Sequence, residues 1–147
     1  MMTVLTSFED RKKEKQLAYE RKLLRDLPVQ ELKKSVMLHF NQIRKQIGPM
    51  DEDVEEVCFD VAVEAFLIGG EYSRFSMHGE TINMAKKRCT QSIDEFIDTL
   101  FHFWLYWNLD KERIREDSIY SSCEKFVDYW WKKGFLKGER RYKLRLH

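Results

Sequence analysis

The stretch DEDVEEVCFDVAVEAFLIGG, residues 51–70, decides the fold. Asp51 is a helix cap, and Glu52, Asp53, Glu55 and Glu56 suit the positive end of the helix that follows. Val54, Val57, Cys58, Val61, Ala62, Ala65, Phe66 and Ile68 then recur at helical spacing and form a wide apolar face. A helix this apolar has to be covered by other elements. Gly69-Gly70 is expected to end it.

The same spacing extends to both sides. Upstream, Val29, Leu32, Val36, Phe40, Ile43 and Ile47 share one face, bounded by Leu27-Pro28 and Gly48-Pro49. Before Pro28, Ser7 and Asp10 read as a variant capping box opening a helix over about residues 8–26. Its stretch Glu9–Gln16 holds no apolar residue, so its first two turns are expected to project into water or onto a partner. Downstream, residues 71–81 (EYSRFSMHGET) are expected to form a loop. A long helix follows from Glu80 or Thr81, apolar nearly all round by Phe103–Trp107. Asn108 and Asp110 separate it from a last helix carrying Ile114, Ile119, Cys123, Phe126, Val127, Trp130 and Trp131. Lys132, Lys133 and Gly134 are typical of a helix end, and residues 135–147 are expected to be a short extended arm. The fold expected is an all-α, single-domain bundle of about five helices over residues 1–147.

Composition supports one domain. A chain of 147 residues with 6 glycines and 2 prolines has little room for linkers, and its 10 Phe, 6 Tyr and 4 Trp argue against disorder. No apolar run approaches the roughly 18 residues of a membrane span. The opening MMTVLTSFEDRKKEK turns charged too early for a signal peptide. Three widely spaced cysteines make no disulfide framework, so the expected compartment is the reducing cytoplasm.

The net charge of +1 hides a segregation. Residues 1–48 carry +5, residues 49–110 carry −9 and residues 111–147 carry +5. Either the basic ends neutralise the acidic middle, or they wait for an anionic partner. Arg11, Lys12, Lys13 and Lys15 offer one cationic patch, and Lys137, Arg140, Arg141, Lys143 and Arg145 another. Nucleic acid is a possible ligand for such ends, but no zinc-finger spacing, RNA-recognition motif or helix-turn-helix signature accompanies them.

Catalytic constellations are thin. The nearest set to a metal site is Asp94, Asp98 and His102, one helical turn apart each. Neither Glu-x-x-His nor His-Glu-x-x-His occurs, and His102 is expected in the core beside Phe101, Phe103 and Trp104. Cys58 and Cys123 fall on apolar faces, whereas Cys89 follows Lys86, Lys87 and Arg88, which favours its thiolate. No cofactor motif is present, and none is expected to bind.

The 71–81 segment is the most informative. Tyr72, Arg74, Phe75, Met77 and His78 lie between Gly70 and Gly79. Aromatics with arginine are favoured interface anchors, but the same apolar residues can fill the end of a bundle. Adjacent Tyr129, Trp130 and Trp131 cannot all face inward, and an exposed tryptophan would mark a homo-oligomer or partner contact.

Three stretches carry a family resemblance: Lys15–Arg25 (KQLAYERKLLR), Asp60–Gly69 (DVAVEAFLIG) and Tyr72–Phe75 (YSRF) with Gly79-Glu80-Thr81. They resemble the YbaK-like proteins of Bacillus, a domain of unknown function distinct from the tRNA-editing enzymes that share the name. The resemblance covers essentially the whole chain. It implies a cytosolic protein of Gram-positive spore formers and transfers no functional residue. The resulting expectation is a non-enzymatic regulatory or adaptor module acting through a protein partner or as a homo-oligomer. The site residues would be Tyr72, Arg74, Phe75 and His78, or Arg11, Lys12, Lys13 and Lys15. Nucleic-acid binding through the basic ends and a small metal-dependent enzyme are the alternatives.

Overall fold

The computed structural model describes residues 27–47, 52–108 and 115–144, together with Asp10, Arg11, Lys13, Glu14 and Arg25. The expected caps at Gly48-Pro49, Asp51 and Asp110, and most of the expected helix over 8–26, lie outside the described residues. What is described is all helical: α1 (Val29–His39), α2 (Asn41–Ile47), α3 (Glu52–Tyr72), a 3-10 helix (Ser73–His78), α4 (Ile82–Arg88), α5 (Thr90–Asn108) and α6 (Glu116–Lys143). No strand occurs among the described residues.

Helix α6 is the mast of the fold and touches α1, α3, α5 and the 3-10 turn. Its inward face holds Ile119, Cys123, Phe126, Val127, Trp130, Trp131 and Phe135, all buried. Each of these large side chains contributes about 1.5–3 kcal/mol on leaving water. Both tryptophans are fully buried, and the half-turned neighbour that reaches solvent is Tyr129. The indole N–H of Trp130 donates to Ser35 Oγ at 2.9 Å, which satisfies the polar edge of that ring inside the core.

Two glycine expectations are overturned by one contact. Gly69-Gly70 does not end α3, and Gly134 does not end α6; both helices run on through them. A Cβ on Gly69 would overlap the Trp131 carbonyl oxygen, and one on Gly134 would overlap the Phe66 carbonyl oxygen. A Cβ on Gly138 would overlap Ser73 Oγ and stand 2.8 Å from the Gly70 carbonyl oxygen. These glycines remove side chains where two helix backbones cross. For the same reason residues 135–143 are helix rather than an extended arm: past Gly134, Phe135 is buried and stacks on Trp131 at 5.4 Å. Tyr142 and Lys143 belong to the final helical turn, Leu144 caps it, and residues 145–147 lie outside the described ones.

Two expected helices are each split. The first breaks at Phe40 (φ −114°, ψ 19°), whose ring is fully buried, stacked on Trp104 at 4.8 Å and tilted against Phe126 at 5.2 Å. The second begins where expected, with Thr81 Oγ1 accepting the Met84 N–H at 3.2 Å, but breaks at buried Cys89 (φ −113°, ψ 25°). There the Thr90 hydroxyl donates to the Lys87 carbonyl at 2.9 Å, a local bond that competes with the helical ladder.

Alanine at Gly69 or Gly134 is expected to cost about 3 kcal/mol, because both neighbours are backbone and cannot rotate away. Alanine at Gly79 meets nothing within 4 Å and is strained only by its φ of 86°, at about 1 kcal/mol. Urea denaturation of the three variants measures the contrast.

Candidate interaction surface

The segment 71–81 is not an irregular loop. Tyr72 closes α3 and residues Ser73–His78 continue directly as a 3-10 helix. Its base is fixed by Ser73, fully buried beneath Gly138, whose hydroxyl donates to the Gly70 carbonyl at 2.5 Å. Its end is fixed by Gly79 in the left-handed region, with the Gly79 N–H on Ser76 O and the Glu80 N–H on Phe75 O.

The structure brings Tyr72, Arg74 and Phe75 together. The Tyr72 and Phe75 rings lie 5.7 Å apart, and the Arg74 guanidinium sits 5.1 Å from the Phe75 centroid. A second guanidinium, from Arg88 on α4, lies 4.5 Å from the same centroid. Arg88 Nε also donates to both carboxylate oxygens of Glu80, at 2.8 and 3.0 Å, which orients it. Phe75 is therefore half-buried between two cations, while Arg74, Met77 and His78 are exposed. Sequence reasoning missed Arg88, reading it only as a neighbour of Cys89. Its signal was the acid at Glu80 just past Gly79, which shares the turn with Phe75 but pairs eight residues on.

The other expected patch is only partly described. Arg11 and Lys13 are helical and exposed; Lys12 and Lys15 lie outside the described residues. Near the C-terminus Arg140 and Lys143 are exposed, Lys137 and Arg141 half-buried, and Lys143 reaches Glu139 at 3.4 Å.

Of the catalytic candidates, His102 is placed differently from expectation. His102 is exposed on α5, not in the core, and its Nδ1 lies 2.7 Å from the Asp98 carbonyl oxygen one turn back. Asp94 and Asp98 are also exposed. Among the described residues, no three His, Cys, Asp or Glu side chains come together to hold a metal ion. All three cysteines are buried. Burial pushes the Cys58 thiol up to about 12 and the Cys89 thiol up to about 11, and it raises Cys123 as well. Lys86 opposes the shift at Cys89, but desolvation outweighs it, so the expected favoured thiolate is corrected.

Asp128 ties α4 to α6. It pairs with Lys86 and, at 3.0 Å, with Lys132. Burial raises its carboxyl, but hydrogen bonds from Lys86 and Lys132 and their charges overcome that and hold it below the usual carboxylate range.

An all-helical chain with buried, protonated thiols and an exposed arginine–aromatic turn is the class these observations define. The chain belongs to the family described as "Protein of unknown function (DUF2521)", which matches residues 2–147. It is similar to the "Uncharacterized protein YbaK" of Bacillus subtilis (strain 168), with 29% identity over 146 residues, 99% of each chain. No solved structure matches it. No helix among the described residues is long and apolar enough to cross a membrane.

Two measurements check these assignments. A thiol reagent at pH 8 should label the folded protein slowly at all three cysteines and promptly once denaturant is added, because burial blocks access and disfavours thiolate. Asp128→Asn should lower stability by about 1 kcal/mol at pH 7. A depressed folded-state pKa gives stability that is present above the unfolded carboxyl value of about 3.9 and lost as pH falls through the folded value. The difference between variant and wild type should therefore vanish in acid, as followed by Tm against pH.

Proposed function

We propose that this protein is a non-enzymatic binding module, a regulator or adaptor, that takes a protein partner at the turn formed by Ser73–His78. The observation that carries this reading is Phe75 held between Arg74 and Arg88 with Arg74, Met77 and His78 exposed around it. Arginine and aromatic side chains supply most anchor energy at interfaces. The turn is pinned at both ends, by buried Ser73 and by Gly79, so little conformational freedom is left to lose on binding. The matching partner segment carries carboxylates for the guanidiniums beside an apolar side chain for Met77, which is 56% exposed. The buried thiols and the dispersed Asp94, Asp98 and His102 add no catalytic group to this surface.

The test is an affinity pull-down from the native host with the full chain, followed by titration of any captured protein. The double variant Arg74→Ala, Phe75→Ala should weaken binding at least about tenfold, or 1.4 kcal/mol, with Tm lowered because the Phe75 ring packs against the core and the helical circular-dichroism signal retained to show that the fold persists. The control Arg11→Ala, Lys13→Ala should bind like wild type. Capture that is absent, or that survives the first variant and fails with the second, overturns the assignment to this turn.

A further inference from the structure

Two adjoining grooves run along the outer side of α6 and share Lys125 and Asp128. The larger, about 710 Å³, lies against α4 and α5. There Lys86, Lys87 and Lys125 face Asp94, Glu124 and Asp128, so the groove favours neither sign of charge.

The smaller groove, about 530 Å³, lies against the end of α1 and has one sign. Lys125, Lys132 and Lys133 line it with a single carboxylate, Asp128. That carboxylate is already shared between Lys86 and Lys132, and Lys133 pairs with Glu31. Exposed Lys125 makes no ion pair among the described residues. Four ammoniums thus meet two carboxylates around this groove.

Its remaining lining is His39, Tyr129 and Leu136, an apolar surface edged by the polar atoms of the first two. Tyr129 and Leu136 are 40% and 56% exposed. The His39 ring lies 5.4 Å from the Tyr129 ring. Its Nδ1 is 2.8 Å from the Ser35 carbonyl oxygen, so the Nδ1–H donates there. Lys133 Nζ donates to Tyr129 Oη at 3.3 Å, which leaves the phenolic proton free to be donated.

We propose that this groove is a binding site for a small organic acid with a flat apolar body. Lys125 and Lys132 meet the acid group, the Tyr129 hydroxyl donates to it, and the Tyr129 ring and Leu136 cover the body. The volume lies in the range of small-molecule sites, and a few placed polar groups on an apolar lining are their usual composition. The groove shares no residue with the Ser73–His78 turn, so it stands whether or not that turn binds a protein.

The experiment is a backbone-amide NMR titration of the full chain with phenyl phosphate, inorganic phosphate and benzyl alcohol. Phenyl phosphate should shift the amides around Lys125, Tyr129, Lys132 and Leu136 saturably. The acid without the ring and the ring without the acid should each bind at least about tenfold more weakly. Lys125→Glu and, independently, Leu136→Asp should each weaken phenyl phosphate about tenfold, with Tm recorded to show that the fold persists. Absence of saturable shifts, equal affinity for the three probes, shifts centred on another face, or full affinity in both variants would each refute the site.

Discussion

Where α3 and α6 cross, Gly69, Gly134 and Gly138 let one backbone rest on the other, and the remaining elements take their places from that contact. A glycine in a helix interior costs about 1 kcal/mol relative to alanine, so each is retained against local preference. The close approach offsets that cost by packing the flanking faces into one another, with Phe66 of α3 edge-on to Trp130 of α6. The rest of the α6 face then defines where α1 and α5 can lie, through Phe126, Phe40 and Trp104.

The crossing also builds the exposed turn. Gly138 leaves room for Ser73, whose buried hydroxyl ends α3 on the Gly70 carbonyl and starts the 3-10 helix. Phe75 comes out of that helix at a height where Arg88 of α4 reaches its ring. A rigid, cation-flanked aromatic is thus a product of core packing several residues away. The outer side of α6 has a different logic, with Asp128 gathering lysines from two helices and leaving Lys125 unpaired among the described residues.

The segregated charge resolves in the same terms. Counting by segment pictures basic ends lying on an acidic middle. Two of the pairs that join different helices run otherwise: Lys86 of the middle meets Asp128 of the last segment, and Lys133 of the last segment meets Glu31 of the first. Segment totals ignore which face each charge occupies, and at the distances of an ion pair the face decides.

The all-α class, the apolar faces of α1, α3 and α6, and the Thr81 cap were legible because helical spacing and capping are local properties written in neighbouring residues. Tyr72, Arg74 and Phe75 were legible as a group because they are adjacent. Arg88 was not, since its contact depends on how α4 folds back after Gly79. Nor was the course of α6 to Lys143. Glycine has two uses in a helix, as a left-handed end and as a gap for another backbone, and its local sequence looks the same in both. Periodicity by itself determined that this chain is helical and which faces seek cover. Only the tertiary structure decided that Gly69, Gly134 and Gly138 are crossings rather than ends, because the atom that forbids a side chain there belongs to the other helix.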